Sequence, residues 1–261
     1  MSIFSAIPRG LKVGLTSACL ALLAPAVWAD GMQPETSVVL VKVDEREKAI
    51  RVTNTDKQLS LLNVTLQNIP EDPEPLLLVT PQLSRVEAGK TQLVRFIVRN
   101  EYLQGEKALT TQRLKRVLIE GIPADAAEKS TGIGRVGVTV RQNLPVIIHP
   151  KGLAENRTPW EGLTWSIEGN QLHVRNDTPY VVRLAEEVRL LPSNTSVALP
   201  RSYVLPGTDL TLPVPDQGLG SDKVRIFPAT VYGFAVDAYE APLQAASAAT
   251  PQRDASGKDQ L

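Results

Sequence analysis

Apolar and polar positions alternate most strictly along residues 131–148. Val136, Val138 and Val140 alternate with Arg135, Gly137, Thr139 and Arg141, and Val146, Ile147 and Ile148 follow Pro145. In an extended chain, side chains two apart share a face, so the valines form one apolar row backed by small, polar or charged residues. Pro145 has no N–H to give to a ladder, so the stretch reads as an edge strand or as two sections broken at Pro145. An uncovered β-branched row on an edge is a template for another chain. The alternative is that the three valines face this chain's own core.

Shorter runs of β-type residues recur on either side. In the first half they occupy 37–43, 49–53, 61–67, 76–80, 92–98 and 116–120, with turn formers such as Asn54-Thr55-Asp56, Glu71-Asp72-Pro73 and Ala88-Gly89-Lys90 in the gaps. A second series covers 163–168, 171–176, 180–190, 202–205, 210–214, 223–227 and 231–235. Evenly spaced short strands with no sustained 3.6 period predict an all-β chain of the β-sandwich type. The segment from His149 and Pro150 to Leu153 reads as a hinge between 30–150 and 151–243. No internal repeat stands out. Residues 244–261 are mostly Ala, Ser, Gln and charge, a composition too polar to stay ordered, and read as a disordered tail.

The N-terminus changes the compartment. Arg9 and Lys12 precede an apolar run from position 13 to 23, and Val27-Trp28-Ala29 ends in a small residue. That pattern reads as a signal peptide over 1–29, with a mature chain starting at Asp30 in the periplasm. The apolar run is short against a bilayer span, and no later segment is long enough to be one, so no membrane span is expected. Cys19 is the only cysteine. The mature chain therefore needs a core that folds without disulfides. The 28 basic and 28 acidic residues balance, which argues against nucleic acid as a partner.

Catalytic chemistry finds no foothold. His149 and His173 fall in different halves, away from metal-ligand spacing, and read as a hinge residue and a strand residue. Gly132-Ile133-Gly134 opens a strand rather than a helix and reads as a turn. Glu71, Asp72 and Glu74 are interleaved with Pro70, Pro73 and Pro75, and read as a solvated acidic loop. No nucleophile, base and oxyanion donor assemble. The expectation is a protein that is not an enzyme, with no cofactor and no metal.

Several segments in order resemble the PapD-like periplasmic chaperones of the chaperone–usher pilus pathway. They are Asn54 to Leu59, Glu87-Ala88-Gly89 followed by Val94-Arg95, Glu120-Gly121-Ile122-Pro123, His149-Pro150, and Asn176-Asp177-Thr178-Pro179-Tyr180. Ala88 stands where the family usually has Pro, and His149 where it usually has Arg. The resemblance implies two immunoglobulin-like β-sandwich domains with a cleft between them. It also implies pilin subunits and an outer-membrane usher as partners. The valine row falls at the family's donor positions, so Val136, Val138 and Val140 would complete a pilin sandwich that lacks a strand.

The sequence departs from the family at the anchor for the pilin's terminal carboxylate. The family's Arg falls on Ser37 or Val38 and its Lys on Pro145, and none of these is a cation. Arg141, of the same strand parity as position 145, and Lys151, just past the hinge proline, are the substitutes within reach. The competing reading is an exported adhesion or carbohydrate-binding module, which would need aromatic residues such as Trp160 and Trp165 placed to stack on sugar rings.

Overall fold

The computed structural model describes residues 31–123 and 140–244. Nine strands build the first half: β1 (Met32–Pro34), β2 (Val39–Lys42), β3 (Glu47–Asn54), β4 (Ser60–Asn68), β5 (Leu77–Thr80), β6 (Leu83–Val86), β7 (Thr91–Val98), β8 (Arg113–Pro123) and β9 (Arg141–His149). They form two sheets, ordered β1-β3-β7-β5 and β2-β9-β8-β4-β6. Alternate residues of each strand point inward: Ile50, Val52, Val94 and Phe96 from one sheet meet Val41, Leu62, Val64, Val117, Ile119 and Val146 from the other.

Ten strands build the second half: β10 (Leu163–Glu168), β11 (Gln171–Asn176), β12 (Val182–Leu184), β13 (Glu187–Leu191), β14 (Thr195–Ala198), β15 (Tyr203–Val204), β16 (Thr208–Pro213), β17 (Lys223–Ile226), β18 (Pro228–Ala229) and β19 (Tyr239–Gln244). A seven-stranded sheet, β14-β13-β17-β19-β10-β11-β16, faces the small sheet β15-β12-β18. Trp165, Leu172, Val174, Val182, Leu190, Val224 and Ile226 fill the space between them. The all-β expectation holds, with one sandwich in each half. Among the described residues, no helix is long and apolar enough to cross a membrane, and no group of three or more His, Cys, Asp or Glu gathers as metal ligands would.

Strands β10 and β11 match the sequence reading to the residue. The run expected over 180–190 is two strands, because the chain changes sheets at Ala185, whose N–H donates to Phe227 O at 2.8 Å. The run expected over 231–235 is a turn instead. Thr230 closes it by donating its N–H to Phe234 O, and the Gly233 N–H returns to Thr230 O. Strand β19 extends through Gln244, which pairs with Ser166, so ordered chain runs one residue past 243.

Strand β9 corrects the reading at Pro145, since it passes through the proline without a break. Residues 146–149 are not an edge. They lie between β2, parallel on one side (Val39↔Val146 to Lys42↔His149), and β8, antiparallel on the other. Residues 141–145 pair with β8 alone and leave their other edge open. Pro145 thus sits where one-sided pairing becomes two-sided, the place in the ladder where a missing N–H costs least.

Candidate functional site

The open edge of β9 and the junction beside it carry the chain's binding features. Along β9, the even-numbered side chains Leu144, Val146 and Ile148 enter the first-half core. Gln142 on that row is half-buried and donates to Met32 O at 2.7 Å. Val140, next on the row, is 43% exposed. Val136 and Val138 lie outside the described residues.

The odd-numbered row faces the second half. Ile147 joins Val38, Ile69 and Leu114 from the first half and Val181 and Leu205 from the second in a small apolar cluster between the halves. This cluster occupies the positions where the resemblance places the family's Arg. Val38 is one of its members, and the Ser37 hydroxyl is held against Gly233 so closely that a Cβ on that glycine would lie 2.0 Å from its Oγ. Gly233 has φ +87°, so the turn needs a glycine on both grounds.

The two cations nominated from sequence stand apart from this cluster. Arg141 shares the odd face with Pro145, but its Nη2 is 2.9 Å from Glu120 Oε1 at the outer end of β9. Lys151 is exposed on the turn after Pro150. Two other arginines stand at the cluster's rim. Arg116, opposite Pro145, shares a face with Leu114; it reaches across to Asn143 of β9, donating from Nε to Oδ1 at 2.8 Å and from Nη2 to the carbonyl at 3.2 Å. Arg183 of β12 shares a face with Val181, and its Nη1 donates to Thr230 O at 3.1 Å. Burial, and then the positive charge of Arg116, pull the Arg183 pKa below its usual value. Among the described residues, neither arginine has a carboxylate within 4.0 Å. The carboxylate across the junction, Glu71, is paired with Arg201 and accepts from the Tyr203 hydroxyl at 3.0 Å. Nothing in the sequence marked Arg116 or Arg183, because they are 67 positions apart and meet only through tertiary packing.

A hydrogen-bonded lock ties the halves together. The Gln112 Oε1 accepts from the Val181 N–H at 2.9 Å, and the Gln112 N–H donates to Pro179 O at 2.8 Å. Gln112 Nε2 also lies 2.9 Å from His149 Nδ1, while His149 Nε2 lies 2.9 Å from Leu153 O. A carbonyl only accepts, so Nε2 carries the ring proton and Nδ1 accepts from Gln112. His149 is thus a buried hinge residue and His173 a strand residue on β11.

The acidic loop is not solvated, contrary to the sequence reading. Asp72 is 5% exposed and lies between Arg113 and Lys115 of β8, with Lys115 Nζ 2.8 Å from its Oδ1. Burial pushes the Asp72 carboxyl up, but hydrogen bonds from Arg113 and Lys115 more than reverse this and hold it below the usual carboxylate range. Burial also lowers the pKa of Lys115, which is 2% exposed and gives its other short bond to Asp72 O at 2.6 Å. The prolines shape the loop so that it folds onto β8.

The halves repeat one corner, although the sequence shows no repeat. Asn54 donates from Nδ2 to Gln58 O and Val86 O, each at 2.9 Å, and Asn176 donates to Tyr180 O at 2.8 Å and Val204 O at 3.1 Å. Each Oδ1 accepts the N–H two residues on, from Asp56 or Thr178. Trp160 and Trp165 are both buried, and Trp165 is 1% exposed, so they offer no stacking surface to a sugar.

Known proteins place this geometry. A family model described as "Pili and flagellar-assembly chaperone, PapD N-terminal domain" matches residues 31–154, and one described as "Pili assembly chaperone PapD, C-terminal domain" matches 158–239. The chain is 39% identical over 217 residues to a protein of Escherichia coli K12 described as an uncharacterized fimbrial chaperone, YhcA, covering 83% of this chain and 92% of that protein. It is 31% identical over 180 residues to the chaperone protein FimB/FhaD of Bordetella pertussis, covering 65% of this chain and 72% of that one. A chain in the structure of the Salmonella enterica SafA pilin with the SafB chaperone superposes with a TM-score of 0.66 at 19% identity, covering 84% of this chain and 99% of that one.

Proposed function

This chain belongs to the PapD family of pilus-assembly chaperones, and from that premise we propose that it holds pilin subunits in the periplasm and delivers them to an outer-membrane usher. The family assembles and does not catalyse. In this reading residues 1–29 direct export, 30–150 and 151–243 are the two arms of the chaperone, and the tail begins after the second arm. The strand lent to the pilin is the extension of β9, with Val136, Val138 and Val140 as its apolar row.

The observation that carries this reading is the half-open β9. Its outer residues pair on one side only, and the row that builds the core at Leu144, Val146 and Ile148 reaches the surface at Val140. A partner that lacks a strand gains ladder hydrogen bonds from such an edge and a filling for its core from the row. Each valine fully buried contributes roughly 1.5–3 kcal/mol, several kcal/mol for the three before the cost of ordering them.

The test is co-expression of the full chain with a pilin from the same genome, followed by periplasmic extraction. The expected result is soluble pilin recovered in a one-to-one complex with a chaperone whose first residue is Asp30. Pilin that is equally soluble without the chain, or a chain retained in the cytoplasm with residues before Asp30, would overturn it.

A further inference from the structure

The arginines at the rim of the junction bear a charge that the described residues leave unneutralised. Arg183 and Arg116 come from different halves, yet parity brings them together: Val181 and Leu114, their same-face neighbours, touch the same apolar cluster. Both are half-buried. Their hydrogen bonds go to carbonyl groups and to an amide oxygen, at Thr230 and Asn143, which leave the charges intact. Two guanidiniums held side by side at a partly dry rim repel each other, and an anion between them turns that repulsion into charge-assisted hydrogen bonds.

The open edge of β9 tells which anion fits. Beyond Pro145 the edge is filled by β2, which runs parallel to β9 and enters at Val39↔Val146. A partner strand laid on residues 141–145 in the same direction must stop where β2 begins. Its last residue then lies beside Val38 and Pro145, where Arg116 reaches over β9 to Asn143. A strand laid the other way would bring an ammonium or mid-chain peptide to the two cations. We infer that Arg116 and Arg183 form a clamp for the C-terminal carboxylate of a bound chain, fixing its direction as parallel to β9 and its register against β2. This rests on the chaperone reading for the identity of that chain, and it assigns the anchoring to neither Arg141 nor Lys151.

The experiment has two arms. In the first, the isotopically labelled mature chain is titrated with acetate at constant ionic strength, and the Nε–H resonances of Arg116 and Arg183 are followed by NMR, with acetamide as the uncharged control. Both resonances should shift together and saturably with acetate, stay still with acetamide, and lose the response in Arg183→Gln while Arg183→Lys keeps part of it. No response to acetate, or an equal one to acetamide or chloride, overturns the clamp. In the second arm, Arg116→Gln and Arg183→Gln are co-expressed with the pilin. Each should lower pilin affinity about tenfold or more at unchanged melting temperature, because truncating one partner of a desolvated charge contact leaves the other unpaired. Unchanged affinity in both variants overturns the assignment even if acetate binds. If the wild type recovers no pilin, the chaperone reading falls and the named ligand falls with it, a result separable from the acetate response.

Discussion

The inner and outer ends of β9 follow one alternation and meet opposite surroundings. At the inner end, residues 146–149 are flanked by β2 and β8, and Val146, Ile147 and Ile148 are fully buried. At the outer end, residues 141–145 have one neighbour, and the apolar row emerges at Val140. The alternation alone therefore does not decide whether a valine is core or contact. What decides it is whether another strand lies alongside, and here that is settled by where β2 starts. The inner end spends its hydrophobicity on this chain's fold; the outer end keeps its own for a partner.

The contrast predicts a steep gradient of mutational cost along one strand. Val146→Asp puts a charge among Val41, Leu62 and Ile119 with no counter-ion, and should destabilise by more than about 4 kcal/mol. Loss of the cooperative melting transition is the expected readout, and a near-native melting temperature would break the comparison.

The Asp72 loop should show the same bias toward the inner end, because it buttresses Arg113 and Lys115, which pair with Ile148 and Val146. Asp72→Asn leaves Lys115 buried without its counter-charge and should cost about 3–5 kcal/mol in denaturant unfolding. The pH dependence follows from the lowered carboxyl pKa. The contribution is fully present above the unfolded value of about 3.9 and is lost as pH falls through the lower folded value. Wild type should therefore lose stability below about pH 4 more steeply than Asp72→Asn. Identical acid slopes would count against the pairing.

The smallest effect should be at the outer end. Arg141 and Glu120 form an exposed pair, so Arg141→Ala should change stability by less than about 0.5 kcal/mol. It should also leave pilin recovery intact, because Arg141 stands four residues up the strand from Pro145, roughly 13 Å at 3.3 Å per residue. A marked loss of pilin recovery would return it to the anchoring role.

Much of this was legible in the sequence, for reasons that particular residues make plain. Strands β10 and β11 alternate cleanly between turns and were readable to the residue. Strand β19 was not, because Tyr239, Glu240 and Pro242 mask its apolar positions and its place between β17 and β10 is a tertiary fact. The run at 231–235 is apolar enough for a strand, but Tyr232, Phe234 and Val236 are exposed on a turn whose glycine packs against Ser37. The acidic loop was misread because burial of Asp72 depends on Arg113 and Lys115, 41 and 43 residues away. At the site, the valine row was visible as a pattern. The arginine pair was not, since neither residue has a local motif and only the packing of the two halves brings them together.

The most direct test of the donor edge sets Val138→Asp beside Val146→Asp, measuring thermal stability and pilin recovery for each. The account predicts that Val138→Asp melts within a degree or two of wild type, a change below about 0.5 kcal/mol, and recovers almost no pilin, because its charge would enter the partner's dry groove. Val146→Asp should fail at the first measurement. Full pilin recovery by Val138→Asp, or its unfolding in isolation, would contradict the account.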